Sequence, residues 1–231
     1  MKGLRVIVFM CSLLLLGCSG YHITALPQDS LQREFDSGVE IFTSQTSQSL
    51  VHFEVAQHLI GGNNNIPLAI FIVAQMKKGD EVMFDVDCIW ALQNGKQVEI
   101  LDYEAAKQSN LNFGKAIESF GIFTPKEQTY SQSVLIPSPI LIYRGHPGFF
   151  LHTPWVYSAR DRLEQSERLE EKRRERSVIL SSYLRKNTLK VGNPPRGGFI
   201  VIDPSELQSG VLELYVRVGT QIHTLKLMLE K

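Results

Sequence analysis

The sequence predicts a mainly β protein: an antiparallel β-sandwich interrupted by a helical insertion rich in proline and aromatic residues. Three observations carry that prediction. Segments in which every second residue is apolar occur early, as in Val51, Phe53 and Val55, and again late, as in Leu212, Leu214, Val216 and Val218; this period of two marks strands with one buried face. Turn-forming residues separate the segments at short intervals, at Gly61 to Asn65, Lys77 to Asp80, Asn94-Gly95 and Gly219 to Gln221. Between the two groups the period changes to a helical one and then dissolves among prolines.

The chain opens with a basic start, Lys2 and Arg5, followed by the apolar run Val6 to Leu16. That run is too short to span a bilayer as a helix and ends on small residues, which suits a cleaved export signal over residues 1–17. The sequence Leu15-Leu16-Gly17-Cys18 that closes it resembles the lipobox of bacterial lipoprotein precursors. The resemblance implies that Cys18 becomes the acylated first residue of the mature protein. It also implies that Ser19, rather than Asp, after the cysteine directs the protein to the outer membrane facing the periplasm. Each buried methylene contributes about 0.8 kcal/mol, so several acyl chains hold a protein on a membrane almost permanently.

Residues 18–48 are rich in Ser, Thr, Gln and Asp and read as a lipidated tether, with only Val39, Ile41 and Phe42 suggesting an early strand. The folded domain is expected over residues 49–231. The continuous apolar run Leu68 to Ala74 reads as a buried strand. Val82, Phe84, Val86, Cys88, Trp90 and Leu92 occupy every second position and read as one face of a single strand. Asn94-Gly95 predicts a type I′ hairpin to Val98 and Ile100, because both residues tolerate positive φ.

An insertion is expected at about 103–187. Its first part, Tyr103 to Phe120, carries Ala105, Ala106, Phe113, Ile117 and Phe120 near helical spacing. From Phe123 to Tyr157 the chain is rich in proline and aromatic residues. A long helix follows from Ser158 to about Lys186; it is charged all round at first and apolar at Ile179, Leu180, Tyr183 and Leu184, where it docks on the core. Strands return at Phe199 to Ile202, Val211 to Val218 and Ile222 to Leu229, the last two as a hairpin.

Strands before and after a helical excursion suggest an immunoglobulin-like sandwich. The pattern resembles uncharacterised proteobacterial lipoproteins in which two halves of such a sandwich flank a helix. The residues that carry the likeness are Ile66-Pro67-Leu68-Ala69-Ile70, Phe84 to Leu92, Tyr183 to Leu189 and Gly197-Gly198-Phe199. It covers about half of the mature chain and implies no catalytic residues. Where the related pattern often has Pro-Gly after its Thr-Leu strand, this chain has Val191-Gly192-Asn193-Pro194-Pro195.

Composition excludes one partner class. Lys and Arg together equal Asp and Glu, giving a formal net charge of zero, so the basic footprint of a nucleic-acid binder is absent. Cys11 leaves with the signal and Cys18 is expected to be acylated, leaving Cys88 as a single thiol with no intramolecular partner. In an apolar register Cys88 is expected to be buried, protonated and inert.

No nucleophile elbow, phosphate loop or zinc-protease helix occurs. Asp85 and Asp87 are expected on one strand face about 7 Å apart, which is two ligands where calcium needs six or more; no metal and no cofactor are expected. His146 and His152, with His52 or His58, lack carboxylate or cysteine neighbours at ligand spacing. His223 alternates with leucines and reads as a hydrogen-bonded core residue.

The feature that points to function is the aromatic cluster around Tyr143, Phe149, Phe150 and Trp155, set among prolines that keep the chain extended at low entropic cost. The expectation is a non-enzymatic, lipid-anchored envelope protein that offers those four residues to a protein partner. The competing reading is a periplasmic hydrolase or carbohydrate-active protein with a site in the 145–157 loop and His146 or His152 as base.

Overall fold

The structure, a computed structural model, describes residues 20–122 and 175–231. Thirteen strands are formed there: β1 Gly20–Ala25, β2 Leu31–Asp36, β3 Val39–Gln45, β4 Ser49–Val55, β5 Leu59–Gly61, β6 Leu68–Met76, β7 Val82–Phe84, β8 Ile89–Gln93, β9 Lys96–Val98, β10 Asn187–Leu189, β11 Arg196–Ile202, β12 Gly210–Val218 and β13 Gln221–Glu230. They make a first sheet in the order β5-β1-β13-β12-β8-β9, a second in the order β11-β6-β4-β3-β2, and a small pair β10-β7. Neighbouring strands in all three run antiparallel. The protein is mainly β.

The alternation read from the sequence sets the inner faces. Leu212, Leu214, Val216 and Val218 of β12 and Leu225, Leu227 and Leu229 of β13 face Val51 and Phe53 of β4 and Leu68, Ile70 and Ile72 of β6 in one core between the sheets. Fully burying a side chain of this kind contributes about 1.5 to 3 kcal/mol. Asn94 and Gly95 have φ of 52° and 75° and join β8 to β9, as a type I′ hairpin requires.

A second apolar cluster lies on the other side of the second sheet. There α1 (Tyr103–Gln108) and α2 (Phe113–Ser119), with a helical stretch at 175–181 labelled α3, cover the outward residues Ala69, Phe71 and Val73 of β6 and Phe199 and Val201 of β11. Phe199 meets Phe71 and Phe120 edge to face, at centroid distances of 4.9 and 5.0 Å.

Four expectations are corrected. Residues 20–48 are not a tether: β1 pairs with β13 in the register His22 to Glu230 and buries Ile23 and Ala25, while β2 and β3 form a hairpin through Ser37-Gly38. The composition misled because an edge hairpin such as β2-β3 needs few apolar residues. The 103–120 helix is two helices, because Asp102 and Asn112 each accept a backbone N–H at a separate N-terminus.

The helix expected to run to Lys186 ends at Ser181. Ser182 to Leu184 instead run along the free edge of β11, where Phe199 donates to Ser182 O at 2.8 Å and Leu184 donates to Phe199 O at 2.9 Å. That approach requires Gly198, since a Cβ there would stand 2.5 Å from Leu184 N.

Lastly, the strand expected from Val82 to Leu92 is broken by a 3-10 turn at Val86–Cys88, with the Asp85 carboxylate accepting from Asp87 N. One irregular turn reverses the register. Ile89 and Ala91 point inward, and Trp90 and Leu92 do not.

Candidate interaction surface

The register reversal creates a surface. On the outer face of the first sheet, Trp90 and Leu92 of β8 stand beside Tyr215 and Glu213 of β12, which stand beside Thr224 and Lys226 of β13. Trp90 and Tyr215 are directly opposite in the ladder and stack at 5.3 Å with their planes 6° apart. Tyr215 Oη donates to Glu213 at 2.9 Å, and Lys226 Nζ lies 2.6 Å from the other Glu213 oxygen.

Those contacts set the local electrostatics. The bond from Lys226, and next that from Tyr215, holds the Glu213 carboxyl below its ordinary value. The same contact with Glu213 raises the Lys226 ammonium, and the hydrogen bond to Glu213 raises the Tyr215 phenol. Ile222 is 55% exposed in the same face. The result is a half-buried patch with a stacked aromatic pair and a charge pair, a mixture suited to protein contacts.

At the rim of the second sheet, Phe35 of edge strand β2 is 64% exposed. Arg33 lies 4.8 Å over the Phe35 ring and 5.8 Å over Phe42, and donates to Glu40 at 2.8 Å. Arg33, Glu34 and Asp36 place charge along that open edge, the usual protection against edge-to-edge pairing.

The described residues bring one serine–histidine arrangement together. His223 contacts Ser44 Oγ through Nδ1 and Ser49 Oγ through Nε2, both at 2.8 Å. Its residue types suggest nucleophilic chemistry, but His223 is 1% and Ser49 0% exposed, so no substrate reaches either. The trio is a polar bridge joining β13 to β3 and β4, and it fits the expectation of a hydrogen-bonded core histidine. Desolvation lowers the imidazole to about 4, partly offset by hydrogen bonding with Ser44.

An open groove of ≈ 460 Å³ runs between Gly38, Ala56, His58, Leu59 and Ile66 on one side and Lys115, Glu118 and Ser119 of α2 on the other. Lys115 and Glu118 are paired at 2.7 Å. Hydrogen bonding to Glu118 raises the Lys115 ammonium.

The expected site residues fare differently. Cys18, Tyr143, Phe149, Phe150 and Trp155 lie outside the described residues, as do His146, His152 and the 145–157 loop of the hydrolase reading. Cys88 is half-buried rather than core, with Sγ 3.6 Å from Met83 O and 3.7 Å from the Asp85 carboxylate. Burial, and next the charge and carboxylate hydrogen bond of Asp85, raise its thiol, offset in part by a hydrogen bond with the Asp85 backbone.

Asp85 and Asp87 do not share a strand face, since Asp85 caps the turn that contains Asp87. His52 contacts Thr43 Oγ1 at 2.8 Å, whereas His58 is exposed in the groove wall. Arg176 of α3 donates to Lys107 O at 2.9 Å and lies 5.7 Å from the Phe113 ring.

Trp90 and Tyr215 are the pair that sequence reasoning missed. Alternation along β12 places Tyr215 outward, but nothing local marks Trp90 as its neighbour. Glu54, 1% exposed beneath the helical layer, carries no sequence signal either.

Compared with protein-family models, with curated proteins and with solved structures, the chain matches none. Among the described residues no helix is long and apolar enough to cross a membrane, and no three His, Cys, Asp or Glu are placed to hold a metal.

Proposed function

We propose that this chain is a lipid-anchored, non-enzymatic protein of the bacterial cell envelope. On this reading Cys18 carries the acyl chains, the outer membrane facing the periplasm is the site of attachment, and an immunoglobulin-like sandwich presents an interaction surface to a protein assembly. The observation that supports it most is positional: Leu15-Leu16-Gly17-Cys18 ends two residues before β1 begins at Gly20. Cleavage before Cys18 therefore leaves all thirteen described strands in place, and acylation places the anchor beside the first of them.

The interaction surface has two parts. Tyr143, Phe149, Phe150 and Trp155 supply the aromatic anchors from the insertion, and the Trp90–Tyr215 face is the described region of matching chemistry.

Cys18→Ser tests the anchor by fractionation: the expected result is loss of the protein from the membrane pellet, and retention after a salt wash would sink this reading. Phe149→Ala, Phe150→Ala and Trp155→Ala test the surface. Each is expected to weaken binding to an envelope partner by about 1 to 3 kcal/mol, read in pull-downs, at a nearly unchanged melting temperature.

A further inference from the structure

The start of the fold leaves almost no chain for a tether. β1 begins at Gly20, so Ser19 alone separates it from Cys18, and two peptide steps reach at most about 7 Å. Resting on the reading that Cys18 is acylated, we infer that the sandwich is seated directly on the bilayer by the end of its first sheet nearest Gly20, with the lipid headgroup layer as its partner surface.

Strand pairing identifies what lies at that end. Gly20 is opposite Gly61, from which the turn Gly62–Asn64 and Asn65 follow. Tyr21 Oη donates to Leu207 O at 2.9 Å, and Gln93 Nε2 donates to Gln208 O at 2.6 Å, so the 203–209 loop spans from β1 to β8 along this rim. There it meets the Asn94-Gly95 turn, whose Asn94 Oδ1 lies 3.2 Å from where a Cβ on Gly210 would stand. Lys231 Nζ is 5.2 Å from the Tyr21 ring.

The rim chemistry suits headgroups. Asn63, Asn64, Asn65, Asn94, Ser205, Gln208 and Ser209 are exposed and uncharged, and their amides and hydroxyls donate to phosphate and ester oxygens at no Coulombic cost. Charge at the rim is mixed, with Lys231 and Lys96 exposed beside the carboxylates of Asp203, Glu206 and Glu230, so the contact rests on the uncharged donors rather than on attraction to anionic lipid.

The far end is out of reach. β12 has nine residues, which at about 3.4 Å each puts the Gly219-Thr220 turn roughly 30 Å from the rim. The second sheet ends at the same level: Thr220 donates to Gln48 Oε1 at 3.2 Å, and Lys77 N donates to Gln48 O at 2.7 Å.

The test uses the full-length protein, expressed in bacteria and purified in a Cys88→Ser background. Fluorophores are placed at Asn64→Cys or Ser209→Cys on the rim and at Thr220→Cys or Lys78→Cys at the far end. Each protein is reconstituted in phosphatidylethanolamine–phosphatidylglycerol vesicles containing a headgroup-attached quencher, and the mass of the Cys18 peptide is measured in parallel. Two probes per end, with melting temperatures checked, guard against one damaging substitution.

The expected result is an acylated Cys18 and rim probes quenched severalfold more than far probes. Ten Gly/Ser residues inserted between Ser19 and Gly20 should erase that difference while leaving the protein on the vesicles. Acylated protein with equal quenching at both ends would overturn the seat and leave the anchor intact. An unacylated Cys18 would overturn both.

Discussion

The outer faces of the two sheets are built from the same kind of ladder and end in opposite states. On the second sheet, β6 buries Leu68 to Ala74 without a break and β11 buries Gly198 to Ile202, so both faces of these strands need apolar cover, and α1, α2 and α3 supply it on the outside. On the first sheet, β12 and β13 alternate buried and half-buried positions along their length. Their outer face is a laced polar and aromatic surface that meets water without a helical layer among the described residues. An uninterrupted apolar run therefore signals a strand buried between two layers, and strict alternation a strand buried on one side.

The comparison is broken first on the covered face. Phe199→Ala removes a ring that touches both Phe71 and Phe120 and is expected to cost about 3 to 5 kcal/mol by chemical denaturation. A loss as small as that of an open-face substitution would mean that the helical layer is loosely docked.

Between the sheets, His223 sharpens the contrast through pH. Its imidazole lies at about 4 in the folded protein against an ordinary 6.5, so between those values the unfolded chain binds a proton that the folded chain excludes. Stability is therefore full above the higher value and falls as the solution is acidified towards the lower, by about 3 kcal/mol at most. Melts of the wild type and His223→Gln across that range should diverge, with the variant showing the shallower slope.

On the open face, Trp90→Ala is expected to cost about 1 to 2 kcal/mol through loss of its stack on Tyr215. If it cost as much as Phe199→Ala, the face would be part of a core rather than a surface. The smallest effect belongs to Glu213→Gln, which breaks the pair with Lys226. Exposed pairs contribute little and are screened, so its melting temperature should match the wild type at physiological salt and fall slightly below it at low ionic strength.

What the sequence determined by itself is whatever neighbouring residues encode. The mainly β class, the β4, β6, β11, β12 and β13 strands and the Asn94-Gly95 hairpin follow from period-two burial and from residues that tolerate positive φ, both properties of a few adjacent positions. The core position of His223 follows from the same alternation along β13.

Tertiary structure decided what depends on a partner far along the chain. Gly20 to Gln48 looked like a tether because its apolar residues are few, yet β1 is completed by β13 from the other end of the chain. A strand lying between two neighbours draws its backbone partners and its cover from them, and local composition does not record either. The same reason accounts for the surface. The alternation from Val82 to Leu92 continues through Asp85, but the turn at Val86–Cys88 shifts the pleat by one step, and a one-residue shift exchanges the two faces of a strand. Trp90 was thereby taken from the core and set against Tyr215, a contact that exists only because β8 pairs with β12.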